Sequence, residues 1–296
     1  MADYIIQKAV NIDAVNKKFQ RTMDDYAASF EAQHKYDGCC AIITLNEDGT
    51  FTCQSRTGEF YPSLMGIAKQ LGAALSKDVE GFEGIVLIGE AWWPGEGQFS
   101  AISGEFRRMA VSDKLQFIIN DVLTTHEFET GVSYARYSRR KARLDGVLPE
   151  RVSWATAYPP GSYGCPQALC NELVAMGAFD GLILRDPDGL WNRGRGTTGE
   201  IVKIKRVLSF DLRIKGWEGG KGKHEGRMGA LVMDFHGKDL RVGTGFSDKD
   251  REMPPAYWLN QIGEVEAMDL SSEGLLREPR FKGLRFDKAE PDRIAA

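Results

Sequence analysis

The stretch Lys35-Tyr36-Asp37-Gly38, with the β-rich runs Cys39–Leu45 and Phe51–Ser55 after it and Asn46-Glu47-Asp48-Gly49 between them, organises the reading of this chain. Aliphatic and β-branched residues on both sides of an Asp-Gly dipeptide predict a hairpin. Upstream, Val15, Phe19, Met23, Tyr26 and Phe30 recur at helical spacing, which predicts one amphipathic helix over residues 13–30, ending just before His34 and Lys35. On that reading Lys35 sits in a connection between helix and strand, held in a cleft with a tight glycine turn behind it. The four residues alone are a weak signal, because a surface lysine before a turn satisfies them equally well.

Further along, apolar runs at residues 85–88, 117–119 and 182–184 predict buried strands, with helical stretches near 63–75 and 166–177 between them. That is an α+β pattern. After residue 207 the character changes to short strands and glycine-rich turns at 210–217, 229–235, 240–243, 265–270 and 281–286. Their number and spacing predict a small β-barrel of the OB type, although an SH3-like barrel fits the count as well. A chain of 296 residues suits two domains. The boundary belongs at 206–209, giving domains 1–207 and 208–296.

The hydrophobic content of 42% and charged content of 27% supply two apolar cores and exclude a disordered chain. Residues 1–10 lack an apolar signal core and no later run is long enough to cross a bilayer, so a cytoplasmic protein with no membrane partner is expected. Cys39, Cys40, Cys53, Cys165 and Cys170 form no CxxC and have no histidine at metal spacing, and are read as reduced thiols. The net charge of -4 argues weakly against nucleic acid, but a global sum says little when basic residues cluster. Between 201 and 227 lie Lys203, Lys205, Arg206, Arg213, Lys215, Lys221, Lys223 and Arg227, against Asp211, Glu218 and Glu225. A second basic cluster comprises Arg136, Arg139, Arg140, Lys141 and Arg143.

Read in order, more motifs follow the lysine. Ser55-Arg56-Thr57-Gly58 closes the hairpin, Gly89-Glu90 ends a strand, and Phe117-Ile118-Ile119-Asn120-Asp121 places an aromatic on another. Asp180-Gly181-Leu182-Ile183-Leu184-Arg185 and Glu200-Ile201-Val202-Lys203-Ile204-Lys205 complete the series. In type, order and spacing it resembles the covalent nucleotidyltransferases, the superfamily of DNA ligases, RNA ligases and mRNA capping enzymes, over nearly the whole chain. The resemblance implies an adenylation domain of antiparallel sheets with flanking helices, followed by an OB-fold barrel.

Chemistry explains the residue types. An amine attacks the α-phosphorus of ATP only when unprotonated, so Lys35 as nucleophile needs positive charge or partial desolvation nearby. Lys203 and Lys205 can supply that charge: two apart on a strand, they share a face, while Val202 and Ile204 turn to the core. By resemblance both contact the α-phosphate. Carboxylates hold a hard divalent cation, Mg²⁺ or Mn²⁺, and Glu90 and Asp180 are the candidates. Phe117 matches the aromatic that stacks on adenine, and Gln33 a position contacting the base edge. Arg56 and Arg195 match arginines that contact nucleotide or the nick 5′-phosphate. Taken singly, a strand-end acid or a core phenylalanine accounts for several of these.

Residues 242–248 resemble a DNA ligase OB-domain signature. Arg277-Glu278-Pro279-Arg280-Phe281 with Arg285-Phe286-Asp287-Lys288 resembles the terminal ligase motif, which implies that Arg285 and Lys288 reach the nucleotide after a swing of the OB domain. Lys221, Lys223 and Arg227, spaced by glycines, are expected to grip the DNA backbone without reading sequence; a solvated loop between barrel strands is the plainer alternative. These features point to the ATP-dependent DNA ligase family, in the minimal two-domain form of phage and viral members. ATP, nicked duplex DNA and AMP covalently carried on Lys35 are the implied partners, with the chain acting as a monomer. An RNA ligase or GTP-using capping enzyme is the nearest alternative, and a DNA-binding scaffold without catalysis another. Two positions depart from the family pattern: Cys40 stands where an arginine is common, and Asp180 where a glutamate is usual.

Overall fold

The computed structural model describes the chain except residues 1–3, 76–83, 95–98, 145, 147, 178, 196–198, 207, 268, 271–273 and 293–296. It divides into two compact units, Met1–Lys205 and Arg206–Ala296. In the first, the principal elements are α1 (Ile12–Phe19), α2 (Met23–Ser29), β1 (Glu31–Tyr36), β2 (Cys39–Leu45), β3 (Phe51–Ser55), α3 (Met65–Leu75), β4 (Ile85–Trp92) and β5 (Gln116–Thr124). They are followed by α4 (Tyr137–Lys141), α5 (Pro166–Ala175), β6 (Phe179–Arg185) and β7 (Ile201–Ile204). The second unit is built on β8 (Leu208–Gly219), β9 (Met228–Phe235), β10 (Lys238–Val242), β11 (Ile262–Ala267) and β12 (Arg280–Leu284).

The first unit holds two five-stranded sheets. One runs β3-β2-β4-β5 with Val152–Trp154 at its edge; the other runs Ala157–Tyr158, β1, β6, β7 and Val10–Asn11. The predicted hairpin forms as β2 and β3, with Ile43 opposite Cys53. Alternation then separates the faces of this sheet: Ala41, Ile43 and Leu45 enter one core with Leu64, Leu71 and Phe106, while Ile42, Val86 and Ile88 pack on Trp191. Both faces are covered, which is why these strands read as continuous apolar runs. The second sheet buries Ala32, Leu182, Leu184, Val202 and Ile204 against Val15, Tyr26, Phe30 and Leu173.

Three expectations are corrected. The helix foreseen over 13–30 is two, because Gln20 takes a left-handed conformation (φ 53°) and Thr22 starts a new helix with a capping box to Asp25. Lys35 is not in a connection: it lies inside β1, paired with Gly181 of β6. The second unit is not a closed barrel. Its strands form an open sheet in the order β10-β9-β8-β11-β12, whose two edges meet at a bridge between Thr244 and Arg280. Leu212, Ile214, Leu231, Met233, Val265 and Trp258 fill its core.

Candidate active site

Lys35 is aimed by strand geometry. Successive residues of β1 alternate faces, so Ala32 enters the core while Gln33 and Lys35 share the opposite face. Cross-strand register sets Lys35 opposite Gly181, and Gln33 opposite Ile183, which in turn faces Lys203. The register then slips between Phe179 and Gly181, leaving Asp180 as a bulge. A bulge re-aims a side chain, and here the Asp180 carboxylate meets Lys35 Nζ at 2.5 Å and Lys205 Nζ at 2.9 Å. Only glycine fits at 181: φ is +140°, and a Cβ would lie 2.2 Å from the Ile204 carbonyl oxygen. Gly38 is required for a different reason, since a Cβ there would collide with the Ala91 carbonyl at 2.4 Å and with Glu90 Cγ at 2.8 Å. The glycine behind the lysine lets Glu90 approach.

The electrostatics separate the two carboxylates. Burial pushes the Glu90 carboxyl up to about 8; Lys35 and Arg56 offset part of this, and Asp37 and Asp180 add to it. Burial would raise Asp180 as well, but Lys35 and Lys205 outweigh it and hold the group below its ordinary value. Lys203 is lowered, first by burial and then by the positive charge of Lys205 and Lys35. Arg56 follows Ser55, which pairs with Ala41, so its charge arrives beside Cys40, the position where an arginine was expected.

Gln33 is buried, and its amide donates to Glu31 Oε1 and to the Tyr137 hydroxyl, both at 2.8 Å. Phe117 is corrected outright: it is 0% exposed within the apolar core, so its ring has no face free for a base. Arg195 lies in a short strand, Gly194–Arg195, paired with Gln7–Lys8, and its side chain falls outside the described residues.

Much of the second basic cluster is tied up in ion pairs, while Arg136 and Arg139 stay exposed. Arg140 is 1% exposed and binds Asp121 through two bonds of 2.9 Å; Lys141 pairs with Glu31, Arg143 with Glu127 and Arg136 with Asp188. Asp121 also accepts from Arg185 at 2.9 Å, so one buried carboxylate on β5 joins α4 to β6. Nothing local marks Asp121 as the partner of distant arginines; a lone acid inside the run 117–123 is the available signal.

In the second unit, Arg285 donates to Asp211 at 2.8 Å and to Asp287, and Lys288 binds Asp211 and Asp292. Lys221 and Lys223 are exposed at the connection from β8 to β9 and form no ion pair among the described residues. Arg227 lies 3.8 Å from Asp248 and 3.5 Å from Glu252. Buried Arg251 donates to the carbonyls of Met228, Gly229 and Gly243 at 2.9, 3.0 and 2.9 Å, which pins the base of that connection.

What this arrangement can do follows from its parts: amines on one sheet face, a carboxylate gathered among them and a second, Glu90, on β4 of the other sheet suit phosphoryl chemistry. The donor set also fits a hard divalent cation. Glu90 and Asp180 act on each other electrostatically and both offer oxygen. Among the described residues no group of three or more metal-ligating side chains forms, so water or phosphate would complete the coordination.

Comparison with known proteins gives the family. The family model described as ATP dependent DNA ligase domain matches residues 8–205, and that described as DNA ligase OB-like domain matches residues 219–285. The chain is 26% identical over 299 residues to the multifunctional non-homologous end joining protein LigD of Mycolicibacterium smegmatis, covering 90% of this chain and 37% of that protein. It spans less than half the length of the curated relatives it matches. Among solved structures, Pmar-Lig_PreS3 is similar with a TM-score of 0.71 and 22% identity, over 95% of this chain and 68% of that one. The ATP-dependent DNA ligase from bacteriophage T7 in complex with ATP gives a TM-score of 0.57 and 21% identity, over 95% and 98%. At these identities the structural likeness is one of fold.

Proposed function

This chain belongs to the ATP-dependent DNA ligase family, and from that premise we propose that it joins a 3′-hydroxyl to a 5′-phosphate at nicks in duplex DNA. The observation that carries the reading is the cluster of Lys35 and Lys205 on the Asp180 carboxylate, with Lys203 on the same strand face. Lys35 Nζ attacks the α-phosphorus of ATP, a P–N bond forms as the bond to pyrophosphate breaks, and the amine loses a proton. The nick 5′-phosphate then displaces Lys35 to carry the AMP, and the 3′-hydroxyl displaces AMP to leave a phosphodiester. Each step is an in-line displacement, so positioning and charge supply the catalysis.

Lys203 and Lys205 hold the α-phosphate and stabilise the charge that develops on its oxygens. Lys35 is freed for attack when its contact with Asp180 is exchanged. Glu90 and Asp180 would hold Mg²⁺ or Mn²⁺, which neutralises phosphate charge when bound. Gln33 faces the base edge, and Arg56 and Arg195 contact nucleotide or nick phosphate. For Arg285 and Lys288 to reach ATP they exchange Asp211 for phosphate oxygens. Lys221, Lys223 and Arg227 meet the DNA backbone, and the chain acts as a monomer. No helix among the described residues is long and apolar enough to cross a membrane.

The test is sealing of a 5′-labelled nicked duplex with ATP and Mg²⁺, run beside a nicked RNA duplex and beside GTP. Sealed DNA with ATP, and a transient adenylylated strand, are expected. Sealing confined to RNA, or covalent capture of GTP in place of ATP, would replace the reading.

A further inference from the structure

Helix α4 is short, yet its first and last residues both reach towards β1. Tyr137 and Lys141 are four apart and so lie on one helix face. Lys141 Nζ donates to both oxygens of Glu31, each at 2.9 Å. A carboxylate so paired only accepts, and a carboxamide edge facing it must be the amino edge. Gln33 therefore turns its nitrogen to Glu31 Oε1, at 2.8 Å, and the second amide hydrogen goes to the Tyr137 hydroxyl, also at 2.8 Å. Tyr137 is itself held: 1% exposed, with the Arg185 guanidinium 4.5 Å from its ring centre and Arg185 fixed by Asp121. Both donors of Gln33 are spent. Its oxygen accepts from no donor among the described residues, on the strand face that carries Lys35 two residues on.

We propose that Glu31 and Tyr137 are positioning residues that lock the Gln33 carboxamide with its oxygen towards the nucleotide base, and so select a 6-aminopurine over a 6-oxopurine. The inference rests on the reading of Gln33 as a base-contacting residue. A fixed acceptor pairs with the amino group of adenine and opposes the carbonyl of guanine, which is also an acceptor. Unlocked, a carboxamide can rotate and offer its nitrogen to guanine instead. Discrimination thus lies in Glu31, which only accepts and so forbids the flipped amide, and in Tyr137, whose hydrogen bond holds the amide in place; neither needs to touch the ligand. A site built around one hydrogen-bond pattern rejects the wrong partner because its own polar group is left unpaired.

Three variants of the full chain, Tyr137→Phe, Glu31→Gln and Gln33→Leu, test this by single-turnover formation of the covalent enzyme–nucleotide adduct with ATP and with GTP. Glu31→Gln is informative because glutamine at 31 can donate to the Gln33 oxygen and so permits the flipped amide. The ratio of ATP to GTP efficiency is expected to fall by about tenfold in Tyr137→Phe and in Glu31→Gln, roughly what one neutral hydrogen bond contributes. The change should lie in nucleotide affinity more than in the maximal rate. Should Gln33→Leu lose discrimination while the other two keep it, the lock is overturned and the base contact stands. If Gln33→Leu keeps discrimination, the base contact falls and the lock with it. Thermal melting of each variant accompanies the kinetics: loss of both nucleotides in proportion, with a lowered melting point, would reduce Tyr137 and Glu31 to structural supports and overturn the proposal.

Discussion

Lys35 Nζ lies 2.5 Å from Asp180 Oδ2, across a sheet register in which the strand partner of Lys35 is the glycine next to Asp180 and not Asp180 itself. The bulge, and not direct pairing, brings acid and amine together. The same carboxylate holds Lys205, so one acid sets the spacing of two amines.

Asp180→Glu should therefore retain more adduct formation than Asp180→Ala, because a carboxylate is what both the amines and Mg²⁺ require. The expected order in single-turnover rate is wild type, then Glu, then Ala, with Ala lower than wild type by at least about a hundredfold, as loss of an active-site charge partner commonly costs. Equal rates for the two variants would remove Asp180 from the chemistry.

Glu90 gives stability a pH dependence whose sign can be worked out. Its carboxyl is raised from 4.5 to about 8 in the folded chain, chiefly by burial. Between those values the folded state keeps a proton that the unfolded state has released, so stability falls as pH rises and levels off above about 8. Glu90→Gln lacks this slope. The melting temperature of wild type relative to Glu90→Gln, in the absence of divalent metal, should fall steadily from pH 5 to pH 8 and then flatten. A constant difference would mean that Glu90 is solvated.

Asp121 is 2% exposed and its carboxylate pairs with two guanidinium groups, Arg140 and Arg185. Asp121→Asn leaves both buried charges without a counterion, and should cost roughly 3–5 kcal/mol in urea unfolding, through the midpoint and without change in slope. A loss below about 1 kcal/mol would indicate that water reaches the guanidiniums.

Replacing Lys221 and Lys223 by alanine should weaken binding to a nicked duplex and flatten the slope of log affinity against log salt by up to about two units, at about 0.9 per phosphate contact. Adduct formation at Lys35 should be nearly untouched. Parallel salt titrations for the two proteins would mean that this connection does not meet phosphate.

Some of this was open to a reader of the sequence and some was not, for physical reasons. The hairpin β2–β3 is local and carried by an Asp-Gly turn, so it was legible. So was the alternation at Val202, Lys203, Ile204 and Lys205, because period two is a property of the strand alone. The break at Gln20 was hidden, since Met23, Tyr26 and Phe30 continue the spacing of Val15 and Phe19 although Thr22 and Asp25 cap a new helix. Phe117 was misread because motif order does not say which way a strand residue points. The contacts of Asp121 with Arg140 and Arg185 join residues 19 and 64 positions apart, and no local pattern encodes such pairings. The basic run 136–143 reads as a nucleic-acid patch for the same reason: its acids, Asp121, Glu31, Glu127 and Asp188, lie outside the run, 16 to 110 positions from their partners.

Whether Lys35 carries AMP is read by mass spectrometry of the intact chain after ATP and Mg²⁺, followed by peptide mapping, for wild type and Lys35→Ala. One adenylyl group is expected on wild type, on Lys35, and none on Lys35→Ala, which should still seal a nick already bearing AMP because the last displacement uses the 3′-hydroxyl. An unmodified wild-type chain, or an adenylyl group that persists in Lys35→Ala, would contradict the role of Lys35.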